Sequence, residues 1–304
     1  MEDLGTAGTL PLVSCVVVTH NCRDELALCL KALLESSQGI PTEVFVVDNA
    51  SADGTPEMVT RDFSPVKLIP NKENVFFAKA NNQGLTQARG KYVLIINPDA
   101  FVQKDTLSGM VEFMEAHPSA GAASCMFLDS EGETIRTCWP FRTLLWVIMS
   151  REPLVRLFMN SRMLRNARMM DWDRRTQREI DVISDAFLMA RRSALVQVGF
   201  YDESLMLYFT EDDLCMRLKR AGFRIFHNPD TAICHLVSRS TVKKPLLSIL
   251  TIQRDDLVRY FRKHHGRGAA LIAWVAATFE LLTWRLYLIV RSKVHDARKT
   301  KIRE

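Results

Sequence analysis

The sequence predicts an α/β layered fold with a mostly parallel central sheet flanked by helices. Three observations lead there. Short apolar, β-branched runs alternate with helix-period segments up to residue 96, the pattern of strands buried on both faces. Polar residues cluster after three separate runs, as Thr19-His20-Asn21, Asp48-Asn49 and Asn97-Pro98-Asp99. Ligands of such sheets bind at the carboxyl ends of the strands. The chain of 304 residues is 47% apolar and 25% charged, enough for a sizeable core in one large domain or a domain with an appendage.

Residues 1–11 read as a flexible leader. They carry no basic segment ahead of an apolar run, so no signal peptide is expected. Val13–Thr19 (VSCVVVT) is a buried-type strand, and residues 24–37 (DELALCLKALLESS) have helical periodicity with Asp24 at the start. Residues 43–47 (EVFVV) form a second strand that ends in the turn formers DNASADG. Residues 66–70 make a weaker strand, and residues 76–89 a helix that stops at Gly90. Residues 91–96 (KYVLII) are another buried strand, cut off by Asn97-Pro98. Order resumes at residues 180–190 (IDVISDAFLMA), a strand-like run interrupted at Ser184-Asp185. A helix follows over residues 211–221, then two short strands at 224–227 and 231–234 around an Asn-Pro-Asp turn. There is no internal repeat.

The net charge of +5 is unevenly spread. Residues 136–178 hold ten Arg and three acids, mixed with Trp139, Phe141 and Trp146, and read as an inserted lid of amphipathic helices. From Arg285 onward there are seven bases and two acids, so the remainder of the chain is acidic. Basic regions suit phosphates and anionic lipid head groups. Residues 268–290 are largely apolar but carry Glu280 and Arg285, and the longest run without charge is 12 residues. A spanning helix needs about 20 apolar residues, and a mid-span charge costs about 3 kcal/mol. An interfacial helix with Trp274, Trp284 and Tyr287 at head-group level is therefore expected, ahead of a clean span or ordinary soluble packing. Seven cysteines without a CxxC pair fit reduced thiols in the cytoplasm. The expected organisation is a catalytic domain over 12–240, with the 136–178 insertion, and a membrane-associating helical extension over 241–304.

Four pieces stand in order: VVVTHNCRDELALCLKALL, VFVVDNASADGT, LIINPDA and LYFTEDDLCMRLKRAG. Together they resemble family 2 glycosyltransferases with the GT-A fold. NKENVFFAKANNQGLTQARGKYVLIINPDA is most similar to the branch with bacterial rhamnosyltransferases of cell-surface polysaccharide synthesis. The resemblance implies an inverting transfer from a dTDP- or UDP-sugar, rhamnose being the first candidate. The acceptor would be a saccharide on a polyprenyl diphosphate, met by an enzyme peripheral to the inner face of the cell membrane. It places Thr19, Asn21 and Arg23 in the nucleotide-binding turn, Asp48 on the base or ribose, and Asn81 or Asn82 on base or sugar. Asn97-Pro98-Asp99 takes the place of the Asp-x-Asp motif, with Asp99 on a divalent cation (Mg²⁺ or Mn²⁺) and diphosphate and Asn97 beside it. His235 falls where the family has a His that reaches metal or phosphate, and Arg239 and Ser240 follow it. Asp185 and Trp139 lie on the acceptor side. Three departures stand out: His20 replaces an aromatic residue, Val75-Phe76 stands where Gly-Phe is expected, and Asn97 is neutral.

The same resemblance gives Glu211, Asp212 and Asp213 their role. An inverting transfer needs one carboxylate to take the acceptor proton. Aligning on Glu-Asp makes that residue Asp212, and aligning on Asp-Leu-Cys makes it Glu211. The bland alternative is a helix start that favours acids through its dipole, and Asp53 reads as a turn former that caps the next helix. A soluble or protein acceptor, or a non-catalytic sugar-nucleotide scaffold, are the competing functions. No GxGxxG follows the first strand, against a dinucleotide oxidoreductase. No nucleic-acid recognition motif accompanies the arginines.

Overall fold

The computed structural model describes residues 10–151, 154–236 and 245–301. They form two compact units. The first holds the chain up to Phe141, Trp172–Met206 and the segment from Thr210 to the end of the last strand. The second holds Arg142–Asp171, Leu207–Phe209 and the C-terminal helix.

The first unit is a mixed ten-stranded sheet. It begins β1 (Val13–Thr19), α1 (Arg23–Ser36), β2 (Thr42–Asp48), α2 (Thr55–Asp62), β3 (Lys67–Pro70), α3 (Phe76–Leu85), β4 (Tyr92–Ile96). β1 pairs in parallel with β2 on one side and β4 on the other, and β2 pairs in parallel with β3. β1 and β4 are buried on both faces, so unbroken apolar runs were their signature. Next come β5 (Ala100–Val102), α4 (Thr106–Ala116), β6 (Ala120–Leu128), β7 (Thr134–Ile135) and β8 (Cys138–Trp139). After the excursion to the second unit the chain returns as β9 (Arg178–Glu179), β10 (Val182–Ile183), β11 (Phe187–Arg191) and α8 (Arg192–Val198). It ends in a helix over Thr210–Arg220 and β12 (Arg224–His235). The main path through the sheet is β3-β2-β1-β4-β11-β6-β12-β5, and β11 runs antiparallel to β4 and β6.

Several sequence expectations shift here. Residues 180–190 are two strands, because β10 pairs with β8 in a separate small sheet while β11 joins the main one. The two strands expected around Asn-Pro-Asp are one strand with a bulge: β12 follows β6 in parallel, skips register between Asn228 and Ala232, and resumes. Pro229 has no N–H to give the ladder, and a bulge tolerates that. The helix from Phe76 ends at Leu85, not Arg89. The Arg89 and Gly90 amides donate to Ser14 Oγ instead, at 3.1 and 2.7 Å. β6 (AGAASCMFL) escaped the sequence reading because it is built mainly of small residues, not β-branched ones.

In the second unit, three short helices, α5 (Leu144–Met149), α6 (Leu154–Phe158) and α7 (Arg162–Ala167), accompany a long helix over Leu246–Lys301 that is broken at Gly266 (φ 86°, ψ 174°). Numbering the Thr210–Arg220 helix α9 makes this one α10. Beyond Gly266, Ala270, Ala273, Ala277 and Leu281 form its buried face, and α10 packs on α5. Glu280 lies on that side and accepts from Arg151 Nη1 at 2.8 Å, with both side chains nearly buried. The other face leaves Leu271, Val275, Phe279, Leu282, Leu286 and Ile289 exposed. Among the described residues, one helix, Leu246–Ile289, is long and apolar enough to cross a membrane.

A Cβ on Gly90 would lie 2.6 Å from the Ser14 amide nitrogen and 2.8 Å from the Tyr92 carbonyl oxygen. Both are backbone atoms of neighbouring strands and cannot yield. Gly90→Ala is expected to lower stability by about 3 kcal/mol, at the upper end for overpacking, read from denaturant unfolding.

Candidate active site

Parallel pairing brings the ends of β1, β2 and β4 together. Thr19 is the register partner of Asp48, and β4 delivers Asn97-Pro98-Asp99 just beyond Ile96. Thr19, Asp48 and Asn81 are each buried to within 1%. Each also keeps one oxygen without a hydrogen-bond partner: Thr19 Oγ1, Asp48 Oδ1 and Asn81 Oδ1. An unmade buried hydrogen bond costs about 1–3 kcal/mol, so three in one region point to a polar ligand. The other Asp48 oxygen accepts from the Ser51 amide at 3.0 Å, and Asn81 Nδ2 donates to the Phe77 carbonyl.

The remaining residues of the turn hold the scaffold. Asn21, in the left-handed region at φ 54°, accepts from the Ala52 amide and donates its own amide to Ser51 Oγ. Arg23 is exposed, and its amide donates to Asp53, which also accepts from Thr55. His20 donates through Nδ1 to the Asn49 carbonyl at 2.8 Å. Asn49, which the sequence marked only as part of the polar cluster with Asp48, is the organiser. Its amide donates to Thr19 O, its Oδ1 accepts from Val75 N and Asn71 Nδ2, and its Nδ2 donates to Phe76 O. The missing glycine is felt at Phe76, not Val75: Phe76 has φ 65° while Val75 has φ −88°. A side chain in that conformation costs about 1–2 kcal/mol, and such strain gathers at functional sites. Asn82 is occupied by Tyr201, giving Nδ2 to its carbonyl and taking its amide, each at 2.9 Å.

Asp99 and His235 meet because β5 pairs with β12, which sets His235 opposite Ala100. His235 Nε2 is 3.3 Å from Asp99 Oδ1. Among the described residues no group of three or more His, Cys, Asp or Glu could hold a metal ion. A carboxylate and an imidazole still fit a divalent cation that draws its other ligands from phosphate and water. Asn97 sits two residues away, its amide bonded to Ala186 O. Arg239 and Ser240 lie outside the described residues.

The acid run opens α9, and the turn of the helix points its members in different directions. Asp213 is fully buried and accepts from Arg217, four residues on, at 2.8 Å. Arg217 also donates to the carbonyls of Val198, Gly199 and Phe200. The i,i+4 spacing could have revealed this pair in the sequence. Asp212 is buried, and Trp139 Nε1 approaches its Oδ1 at 3.4 Å. The small β8–β10 sheet fixes Trp139 there. Glu211 is half-buried, 3.1 Å from Thr210 Oγ1. Asp185 has both oxygens engaged, by Tyr201 OH at 2.7 Å and Thr210 Oγ1 at 2.8 Å. Burial, against these two hydrogen bonds, pushes the Asp185 carboxyl up to about 7, with the Asp212 charge adding to the rise. Burial and then the charges of Asp185 and Asp212 raise Glu211 well above the carboxylate range.

The model of the family described as "Glycosyl transferase family 2" matches residues 14–195. An N-acetylglucosaminyl-diphospho-decaprenol L-rhamnosyltransferase of Mycobacterium tuberculosis is 24% identical over 95% of this chain and 96% of its own. Among solved structures, the mannosyltransferase PcManGT from Pyrobaculum calidifontis, in complex with GDP-Man and Mn²⁺, is similar with a TM-score of 0.56. It shows 21% identity and covers 95% of this chain and 81% of its own. S. aureus TarS 1-349 in complex with UDP is similar with a TM-score of 0.54 and 20% identity, over 86% of this chain and 69% of its own. The two structures share the GT-A fold with this chain.

Replacing Asp213 removes the buried partner of Arg217. Asp213→Ala is expected to cost about 3–5 kcal/mol of stability, read from denaturant unfolding, where Asp212→Asn costs far less.

Proposed function

The chain belongs to glycosyl transferase family 2 and is a glycosyltransferase, and from that premise we propose an inverting, divalent-cation-dependent transfer from a nucleoside-diphosphate sugar to a polyprenyl-diphosphate-linked saccharide. The observation that carries the donor side is the trio of buried, unpartnered oxygens on Thr19, Asp48 and Asn81. A uracil or thymine imide N–H is a donor of the kind Asp48 Oδ1 lacks. Hydroxyls of ribose or sugar suit Thr19 and Asn81, with Asn21 and Arg23 shaping the turn around them. Asp99 and His235 would hold the cation, with Asn97 alongside. A bound divalent cation supplies positive charge against the leaving diphosphate.

On the acceptor side Asp212 is the base. Its carboxylate takes the proton of the acceptor hydroxyl as that oxygen attacks the anomeric carbon, and the nucleoside diphosphate departs from the opposite face. Two features favour Asp212 within the run. Asp213 is tied to the Arg217 guanidinium and Glu211 to Thr210, and Asp212 accepts from the indole N–H of Trp139, a ring on which a sugar can stack. Rhamnose as the sugar is supported by the mycobacterial relative, and a UDP carrier by the UDP-bound neighbour; dTDP is the other carrier that the sequence resemblance implies.

A lipid-borne acceptor is favoured over a soluble one by the second unit. The exposed face of α10 is apolar from Leu271 to Ile289, and Glu280 is neutralised by Arg151 on the other face. Such a helix, packed on protein along one side, lies in the head-group region with its apolar side toward the acyl chains. This is a peripheral position at the cytoplasmic face of the cell membrane, where anionic lipid attracts the basic tail.

Turnover of a nucleotide-sugar panel with a polyprenyl-linked acceptor tests the reading. Nucleoside diphosphate is expected from one donor, with loss on EDTA and a fall of about 10²–10⁴ in Asp212→Asn. Activity that persists in Asp212→Asn but vanishes in Glu211→Gln would move the base one residue earlier. Flotation with anionic vesicles is expected to carry the protein up. A protein that stays at the bottom of the gradient would overturn the membrane reading.

A further inference from the structure

Thr210 Oγ1 lies 2.8 Å from Asp185 Oδ2 and 3.1 Å from Glu211 Oε2. A hydroxyl has one proton to donate. If it goes to Asp185, the nearer oxygen, Glu211 cannot also accept and must itself donate to Thr210. The far end of the chain is closed in the same sense, since Tyr201 OH donates to Asp185 Oδ1 at 2.7 Å. The self-consistent arrangement runs from a protonated Glu211 through Thr210 to an ionised Asp185, with Tyr201 on the other side.

We propose that Asp185 and Glu211 share one proton through the Thr210 hydroxyl, so that Asp185 is a positioning residue that keeps Glu211 neutral beside Asp212. The chain draws on three separate segments: the β10–β11 connection, the loop after α8 and the first turn of α9. The groups that face the pair are Tyr201 from that loop, and Asp212 and Cys215 from α9. No cation among the described residues is paired with either carboxyl. Three like charges in so small a volume repel, and one proton relieves them, as in other carboxylate pairs. The raised titration of both carboxyls agrees with the geometry.

The consequence for catalysis rests on the reading of Asp212 as the base. With Glu211 neutral, Asp212 remains the ionised member that faces the acceptor. An anionic Glu211 would place a second charge there and compete for the same proton. The proton pair itself does not depend on that reading and is tested without turnover.

The experiment is a titration of the full-length protein with ¹³C-labelled Asp and Glu carboxyls, followed by NMR, for wild type and Asp185→Asn. In the wild type, one carboxyl of the pair is expected to hold its proton to about pH 7. In Asp185→Asn the Glu211 midpoint is expected to fall by about one unit or more, since the like charge has gone. Two wild-type carboxyls that both titrate below about pH 5, like ordinary side chains, would overturn the pair. So would a Glu211 midpoint unmoved in the variant. Thermal unfolding supplies a second readout. One carboxyl of the pair keeps its proton to about 7, where an unfolded carboxyl loses it at about 4, so the folded state binds more protons than the unfolded one between those values. Stability is therefore fully present below about pH 4 and declines as pH rises toward 7. Asp185→Asn is expected to flatten that decline, and an unchanged slope would count against the proposal. If the pair titrates as stated while no donor turns over, the proton pair stands and the transferase assignment of the acid run falls.

Discussion

The structure depends first on the parallel pairing of β1 with β2 and β4. Parallel ladders admit one register for strands buried on both faces, and here that register ends the strands at one level. Thr19 and Asp48 are partners in the ladder itself, and Asn97 and Asp99 emerge a few residues past the last pair of β4. Three chain segments far apart in sequence thus place their polar ends together with no side-chain contact required to bring them there. The ladder buries the unpaired oxygens of Thr19 and Asp48, and α3 adds the buried, unpaired Oδ1 of Asn81.

Around this frame the polar residues divide into those that hold the backbone and those left with capacity to bind. Asn49, Asn21, Asn82 and Asp53 spend their hydrogen bonds on neighbouring loops. The acid run meets three different sets of partners within one helical turn. Asp213 is locked against Arg217, Glu211 is joined to Thr210 and through it to Asp185, and Asp212 stands by Trp139. Three consecutive carboxylates that look equivalent in a sequence are separated by about 100° of helix rotation each, and so meet three different environments.

The second unit handles charge in a related way. An ion pair with Arg151 neutralises Glu280, the acid within the apolar stretch of α10, and it does so on the buried face. The stripe from Leu271 through Val275, Phe279, Leu282 and Leu286 to Ile289 is left exposed and apolar. A helix that would be a liability in water becomes suited to a lipid surface.

The sequence by itself determined the α/β class and the buried strands, and it marked the polar strand ends of the candidate site, since hydrophobic period and turn chemistry are local signals. Thr19, Asp48, Asn97 and Asp99 were legible because each ends or follows a strand whose run of apolar residues is unmistakable. Even the resemblance of TEDD to an acidic motif left its register open, because adjacent acids have no local feature to tell them apart. Tertiary structure alone decided the rest. It joined β10 to a small sheet and β11 to the large one, merged the strands around Asn-Pro-Asp into one bulged strand, and put the strained φ at Phe76. It also set Glu280 against Arg151 and closed the chain from Tyr201 through Asp185 and Thr210 to Glu211. Apart from the Phe76 torsion and the Thr210–Glu211 step, these are contacts between residues from 16 to more than 100 positions apart, and no periodicity along the chain encodes which distant partner a strand edge or a carboxylate will meet.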